Sequence, residues 1–84
     1  MLGDIYQNHM EVKMMNAREI FEQLGYERTE DEARIEYENE DELIIFYKER
    51  ERLYHVNSYE PLIYLGTFKA IHQQLKELGW IDNE

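Results

Sequence analysis

No cysteine occurs in the chain, and basic residues are scarce: 9 lysines and arginines stand against 19 acidic residues, a net charge of -10 at pH 7. Without cysteine the chain has no disulfide framework, no thiol chemistry and no thiolate metal site. The shortage of basic residues disfavours direct binding to nucleic acid or to an anionic membrane surface, because such binders present a basic patch. An acidic surface suits a basic protein partner instead.

Long apolar runs are also missing. No segment approaches the roughly 20 apolar residues of a membrane-spanning helix. The N-terminus lacks the basic region and following apolar stretch of a secretory signal. Together with the absence of cysteine, these features predict a cytoplasmic protein without a membrane partner.

The residues that are present predict one folded domain. Apolar residues make up 43% of the chain and aromatic residues 13%, and their periodic arrangement is not typical of disorder. A chain of 84 residues buries one small core without a deep pocket, so oligomerisation is a natural way to cover leftover apolar surface. We assign residues 15–84 to a single domain. Residues 1–14 are either an N-terminal extension or an arm that packs on a neighbouring subunit.

Two Leu-Gly-aromatic triplets, at 24–26 and 78–80, each close an amphipathic helical pattern. Glycine just past a helix, followed by an apolar residue, is a common helix stop. The pattern predicts a first helix over residues 16–24 with a capping box, and a second helix over residues 68–78. The residues that carry these predictions are the caps Asn16, Glu19 and Thr67, the apolar stripe Phe68, Ile71, Leu75 and Leu78, and the returning aromatics Tyr26 and Trp80.

The segment between the helices reads as strands. Residues 33–38 alternate between apolar and charged, residues 43–47 are apolar on both sides, and residues 53–58 alternate again. Residues 26–29 begin a further strand, and residues 62–65 are either a short edge strand or a lead-in to the second helix. Short turns predict an antiparallel meander. The fold class is therefore α+β: a helix, a three- to four-stranded antiparallel meander and a C-terminal helix, with both helices on one sheet face.

An acidic stretch over residues 30–42 contains eight carboxylates opposed only by Arg34. One interpretation is a solvated sheet face with two turns, whose charge discourages edge-to-edge pairing. The other is a surface that imitates a nucleic-acid backbone and occupies a basic groove. Calcium binding and carboxylate catalysis are disfavoured, because the stretch lacks calcium-loop spacing and its carboxylates lie on a wet face. The candidate interaction residues are Glu36, Glu38, Glu40 and Asp41.

No motif of catalysis or cofactor binding is found. His9, His55 and His72 lie in separate elements without metal-ligand spacing, and we expect His55 and His72 to be half-buried hydrogen-bonding residues. Ser58 and Thr67 lack the context of a nucleophile, and no glycine-rich phosphate loop occurs. We therefore expect no enzyme activity, no cofactor and no metal.

Tyrosine is abundant for so small a core, with seven in the chain. Most aromatic residues should be buried, but tyrosine also supplies contact area and a polar tip at interfaces. We therefore predict a homodimer or higher homo-oligomer. The tyrosines assigned to the interface are Tyr47, Tyr54 and Tyr59.

Two stretches carry a resemblance to a group of proteins. The sequence AREIFEQLGY at residues 17–26 resembles the opening of small phage and prophage proteins from Gram-positive bacteria, and AIHQQLKELGW at residues 70–80 resembles their ending. Because those proteins are mostly uncharacterised, the resemblance implies no functional residue. It implies a non-enzymatic accessory protein that acts through protein–protein contacts in a bacterial host cell. The alternative is an acidic inhibitor that mimics nucleic acid and occupies a basic groove of a host protein.

Overall fold

A computed structural model describes residues 15–82 of the chain. Its elements follow the order α1 (Ala17–Gln23), β1 (Glu27–Glu30), β2 (Arg34–Glu38), β3 (Glu42–Tyr47), β4 (Arg52–Asn57) and α2 (Leu65–Glu77). The four strands are antiparallel in the spatial order β1-β2-β3-β4. The predicted α+β fold, a meander between two helices, is confirmed. The predicted arm or extension at residues 1–14 lies outside the described residues.

Both helices pack on one face of the sheet. The register pairs Ile35 with Phe46 and Tyr37 with Ile44, which places these four side chains on the same face. They are buried against α1 and α2, and Phe21 of α1 stacks on the Tyr37 ring at 3.8 Å between centroids. The alternation predicted for residues 33–38 is confirmed. The whole buried cluster is Phe21, Tyr26, Ile35, Tyr37, Ile44, Phe46, Ala70 and Ile71.

Both Leu-Gly-aromatic triplets end helices as the sequence predicts. Gly25 has φ 94° and Gly79 has φ 77°, the left-handed conformation that glycine adopts without strain. The Tyr26 amide donates to Phe21 and the Trp80 amide to Leu75, each at 3.0 Å. Together with the bonds of the two glycine amides, these contacts form the same Schellman motif twice. Each motif turns its aromatic side chain back onto the core.

The start of α2 differs from the prediction. The helix begins at Leu65 after Tyr64, and Thr67 lies inside the first turn, where its hydroxyl contacts Tyr26. Residues 62–64 form a lead-in without strand pairing. The buried face of α2 consists of Thr67, Ala70, Ile71 and Gln74, and Phe68 lies outside it, so the predicted apolar stripe is wrong at that position. The prediction for His72 is also wrong, because its side chain is exposed and its ring stacks on Phe68.

Candidate interaction surfaces

The face of the sheet opposite the helices has a charged half and an apolar half. The charged half belongs to β1 and β2, where Thr29 lies opposite Glu36 and Glu27 opposite Glu38. The Arg34 guanidinium contacts the Glu36 carboxylate at 2.7 Å, so the charge of Glu36 is partly neutralised. The apolar half belongs to β3 and β4 and is formed by Leu43, Ile45, Tyr47, Tyr54 and Val56.

The predicted acidic residues therefore separate into two places. Glu36 lies in the middle of the sheet face beside Arg34, whereas Glu38, Glu40 and Asp41 meet at one corner. Glu27 joins them there, and the four carboxylates line an open cavity of about 570 Å³ together with Gly25 and Asn39. No lysine or arginine lines this acidic corner among the residues described.

The predicted tyrosines also fall in different environments. Tyr47 and Tyr54 share the apolar half of the sheet face, and Tyr54 remains 48% exposed. Tyr59 lies beyond β4, in the connection to α2, and is 78% exposed. The structure thus brings Tyr47 and Tyr54 together on the sheet face and places Tyr59 outside the sheet, in the connection that follows β4.

Glu42 is buried, although the sequence predicts a solvated position for it. It was assigned to a solvated acidic stretch, but it lies on the helix-facing side of β3 and is only 7% exposed. The Tyr26 hydroxyl donates to Glu42 Oε1 at 2.6 Å, and His55 Nε2 lies 2.9 Å from Glu42 Oε2. The Tyr26 hydroxyl also lies 3.1 Å from Thr67 Oγ1. Glu42 and the buried Ile44 are two residues apart on β3, so strand alternation places both side chains on the same face of the sheet.

This network joins β3, β4 and α2 to the turn between α1 and β1. Burial and the bond to Glu42 raise the pKa of Tyr26 to about 12, so the hydroxyl stays protonated and can donate. The contact between His55 and Glu42 confirms the prediction that His55 makes a hydrogen bond across the sheet. Within the described part of the chain, no buried side-chain polar atom lacks a partner. The arrangement therefore holds β4 to the core.

The exposed apolar side chains are concentrated in one stretch. Within residues 15–82, all the large hydrophobic side chains that are exposed, except Leu24 and Ile81, lie between residues 53 and 68. We call residues 53–68 the exposed apolar segment. Its members are Leu53, Tyr54, Val56, Tyr59, Leu62, Ile63, Tyr64, Leu65 and Phe68.

A groove runs along this segment. It has a volume of about 640 Å³ and lies between the last half of β4 and the connection to α2. Its lining consists of His55, Val56, Asn57, Pro61, Leu62 and Ile63. Asn57 Oδ1 accepts hydrogen bonds from the backbone amides of Tyr59 and Glu60, which turns the chain after β4. No sequence motif predicts this groove, because the groove depends on where the connection crosses beside the strand.

Residues 15–82 contain no group of three or more metal-ligating side chains that could hold an ion. Neither helix in that range has the length and apolar character needed to cross a bilayer. Comparison with known proteins gave no match to a family model, to a curated protein or to a solved structure.

Proposed function

We propose that the chain is a small non-enzymatic accessory protein of phage or prophage origin that acts through protein–protein contacts in the cytoplasm of a bacterial host. We propose further that it associates with itself as a homodimer or higher oligomer. The observation that carries the proposal is the concentration of exposed apolar side chains in residues 53–68. The sequence resemblance supplies the phage or prophage origin.

The exposed apolar segment has the composition of an interface. It combines tyrosines with aliphatic side chains, and aromatic residues are enriched at protein–protein interfaces. Exposed apolar side chains that adjoin in space mark interaction sites, because burial of such surface is worth about 25 cal/mol per Å², and Val56, Leu62 and Ile63 adjoin along the groove. The chain has a net charge of -10, to which residues 53–68 contribute only the charge of Glu60, so repulsion between two copies is weakest at this segment.

A non-enzymatic role agrees with the state of the titratable groups. Tyr26, Glu42 and His55 approach one another, and the Tyr26 hydroxyl, both Glu42 carboxylate oxygens and His55 Nε2 are engaged within the network. Their contacts stabilise the fold, whereas a general acid or base needs access to a substrate proton. The proposal therefore assigns no catalytic residue and no cofactor.

Sedimentation with a matched pair of variants tests this proposal. Ile63 and Ile81 are exposed to similar extents, but only Ile63 belongs to the exposed apolar segment. We expect the parent chain and Ile81→Asp to sediment as a dimer or higher oligomer at tens of micromolar, and Ile63→Asp to sediment as a monomer. A parent chain that is monomeric at these concentrations contradicts the proposed self-association.

The second candidate is an acidic inhibitor that occupies a basic groove of a host protein. The observation that favours it is the acidic corner, where four carboxylates meet without a lining base. Its test is capture of partners from a bacterial lysate with the parent chain and with a variant that neutralises Glu36, Glu38, Glu40 and Asp41 to their amides. Binding that is lost in this variant, and lost in about 0.5 M salt, supports the inhibitor. Binding that survives both changes excludes it.

A further inference from the structure

We propose that two copies of the chain associate by antiparallel pairing of their β4 strands about His55, so that the two sheets become one continuous sheet. This inference rests on the proposed self-association and specifies its geometry and its residues. It follows from the backbone of β4, the groove beside it and the distribution of charge.

The outer edge of β4 offers backbone groups for pairing. The Ser58 amide donates to the Asp41 carbonyl at 2.7 Å, so this pair is a hydrogen-bonded one. In an antiparallel ladder such pairs alternate with non-hydrogen-bonded ones. The amides and carbonyls of Tyr54 and Val56 therefore point toward β3, and those of Leu53, His55 and Asn57 point outward.

These outward groups are available. Of the backbone hydrogen bonds formed outside helices and strands by residues 15–82, none uses an amide or carbonyl of Leu53, His55 or Asn57. An edge strand with unpaired amides and carbonyls is a template for another strand. Strand addition at such an edge is a recurrent mode of recognition.

Symmetry restricts how a second copy can pair. Two identical antiparallel strands are related by a twofold axis perpendicular to the sheet, so both helix layers lie on the same side. When His55 lies opposite His55 of the second copy, Leu53 lies opposite Asn57 at both ends of the pairing. The edge-directed amides and carbonyls of all three residues then have hydrogen-bond partners in the second copy. With Tyr54 opposite Tyr54, Asn57 would need Glu51, which has φ 50° in the preceding turn and does not extend the strand. The register centred on His55 is therefore favoured.

This register also joins an exposed side chain to a groove. Leu53 is 42% exposed at the start of β4, and the groove lies at the other end of the same strand. Antiparallel pairing brings Leu53 of the second copy opposite Asn57, next to Leu62 and Ile63 in the groove lining. The twofold axis repeats this contact, so one strand supplies both the inserted side chain and the site that receives it.

Charge favours a second copy at this edge. Residues 52–59 contain no acidic side chain, although the chain as a whole has 19 acidic residues. The register places Arg52 of the second copy opposite Ser58, whose amide donates to the carbonyl of Asp41 just before β3. Unlike charges then lie across the interface, where most other approaches of two acidic copies would meet repulsion.

Disulfide trapping tests the register directly, because the parent chain has no cysteine. The register places Tyr54 opposite Val56 in a non-hydrogen-bonded pair, where Cα atoms are about 4.5 Å apart and a disulfide fits. An oxidised mixture of the single variants Tyr54→Cys and Val56→Cys should give the crosslinked heterodimer, with at least about tenfold less of either homodimer. Thr29→Cys, on the opposite edge of the sheet, is the control and should stay uncrosslinked. A homodimer of Tyr54→Cys as the main product overturns the register.

Hydrogen exchange of the unmodified chain gives a second, independent readout. The amides of Leu53, His55 and Asn57 should exchange at least about tenfold more slowly when concentration is raised above the dimerisation constant. The amides of Tyr54 and Val56 already bond to β3 and should change little. A dimer by sedimentation without crosslinking or this protection overturns β4 pairing but leaves self-association intact. A monomer at every concentration overturns both.

Discussion

The two edges of the sheet are built differently. β1 is short, with four residues of which Glu27 and Glu30 are acidic, whereas β4 has six residues and none is acidic. Charged side chains and short length are devices that protect an edge from pairing with another chain. One edge of this small domain is therefore protected and the other is not.

Each edge strand is tied to the core by one inward side chain. On β1, Arg28 Nε donates to the Tyr37 hydroxyl, which donates to Gln74 of α2 at 2.7 Å. On β4, His55 contacts Glu42, which accepts from Tyr26. The ties are similar, so the difference between the edges lies in their exposed side chains and not in their attachment.

The largest expected loss of stability comes from a buried side chain of β3, and an exposed side chain of β4 provides the comparison. Ile44→Ala on β3 removes a side chain with no exposure and should lower the free energy of unfolding by about 2–5 kcal/mol. Val56→Ala on β4 should cost less than about 1 kcal/mol in the monomer, because the side chain is already exposed. Urea unfolding at a protein concentration too low for dimerisation measures both free-energy changes. Equal losses would show that β4 is as well covered as β3.

The next effect concerns the tie that holds β4. Glu42→Ala should lower the free energy of unfolding by about 3 kcal/mol, because Tyr26 and His55 lose their common acceptor. Glu40→Ala, in the exposed turn, is the matched control and should change it by less than about 0.5 kcal/mol. Chemical denaturation gives both values. If the two variants were equally stable, the buried network would not anchor the strand.

Alkaline pH should weaken the same tie. The pKa of Tyr26 rises from 10.0 to about 12 on folding, so its contribution is complete below pH 10 and is lost as pH rises toward 12. Tyr26→Phe should cost about 1–2 kcal/mol at pH 7 by removing the donor to Glu42. The difference between Tyr26→Phe and the parent should shrink between pH 10 and 12, as denaturation at several pH values would reveal. A constant difference would contradict the raised pKa.

The smallest expected change in stability concerns an ion pair of β1, the protected edge strand. Lys48 Nζ contacts Glu30 at 2.8 Å and lowers the pKa of that carboxyl, but the pair is partly exposed. Lys48→Ala should therefore cost only about 0.2–1 kcal/mol at pH 7. This contribution is present above the ordinary pKa of Glu30 and is lost as pH falls through the lowered value. Thermal unfolding at a series of pH values below 7 measures it, and a loss that stays constant throughout acid titration would exclude the ion pair as its source.

Much of the fold was predictable because its signals are local. The capping box of Asn16 and Glu19, the two glycine stops and the alternation of residues 33–38 each depend on neighbouring residues, and each is confirmed. The start of α2 was mispredicted because Thr67 is a good cap by itself. In the structure its hydroxyl contacts Tyr26, a residue far away in sequence.

The candidate surfaces were less predictable, because they depend on which side chains the helices fail to cover. Tyr54 and Tyr59 were identified from an excess of tyrosine, and both are exposed. Leu53 and Leu62 were not singled out, since an exposed leucine looks like a core leucine in the sequence. Glu42 was grouped with its acidic neighbours although its strand parity points inward.

The contact between the start of α1 and the end of α2 has a consequence for how the chain could be reconnected. The Ala17 amide donates to the Glu77 carboxylate at 2.8 Å, which brings together residues 60 positions apart. A short linker could therefore join these two ends, and new termini could open in the exposed turn at Glu49–Glu51. Such a circular permutant would keep every strand pairing of the meander. It would lose only the turn that connects β3 to β4 along the chain. The order of elements along the chain is thus separable from their arrangement in space.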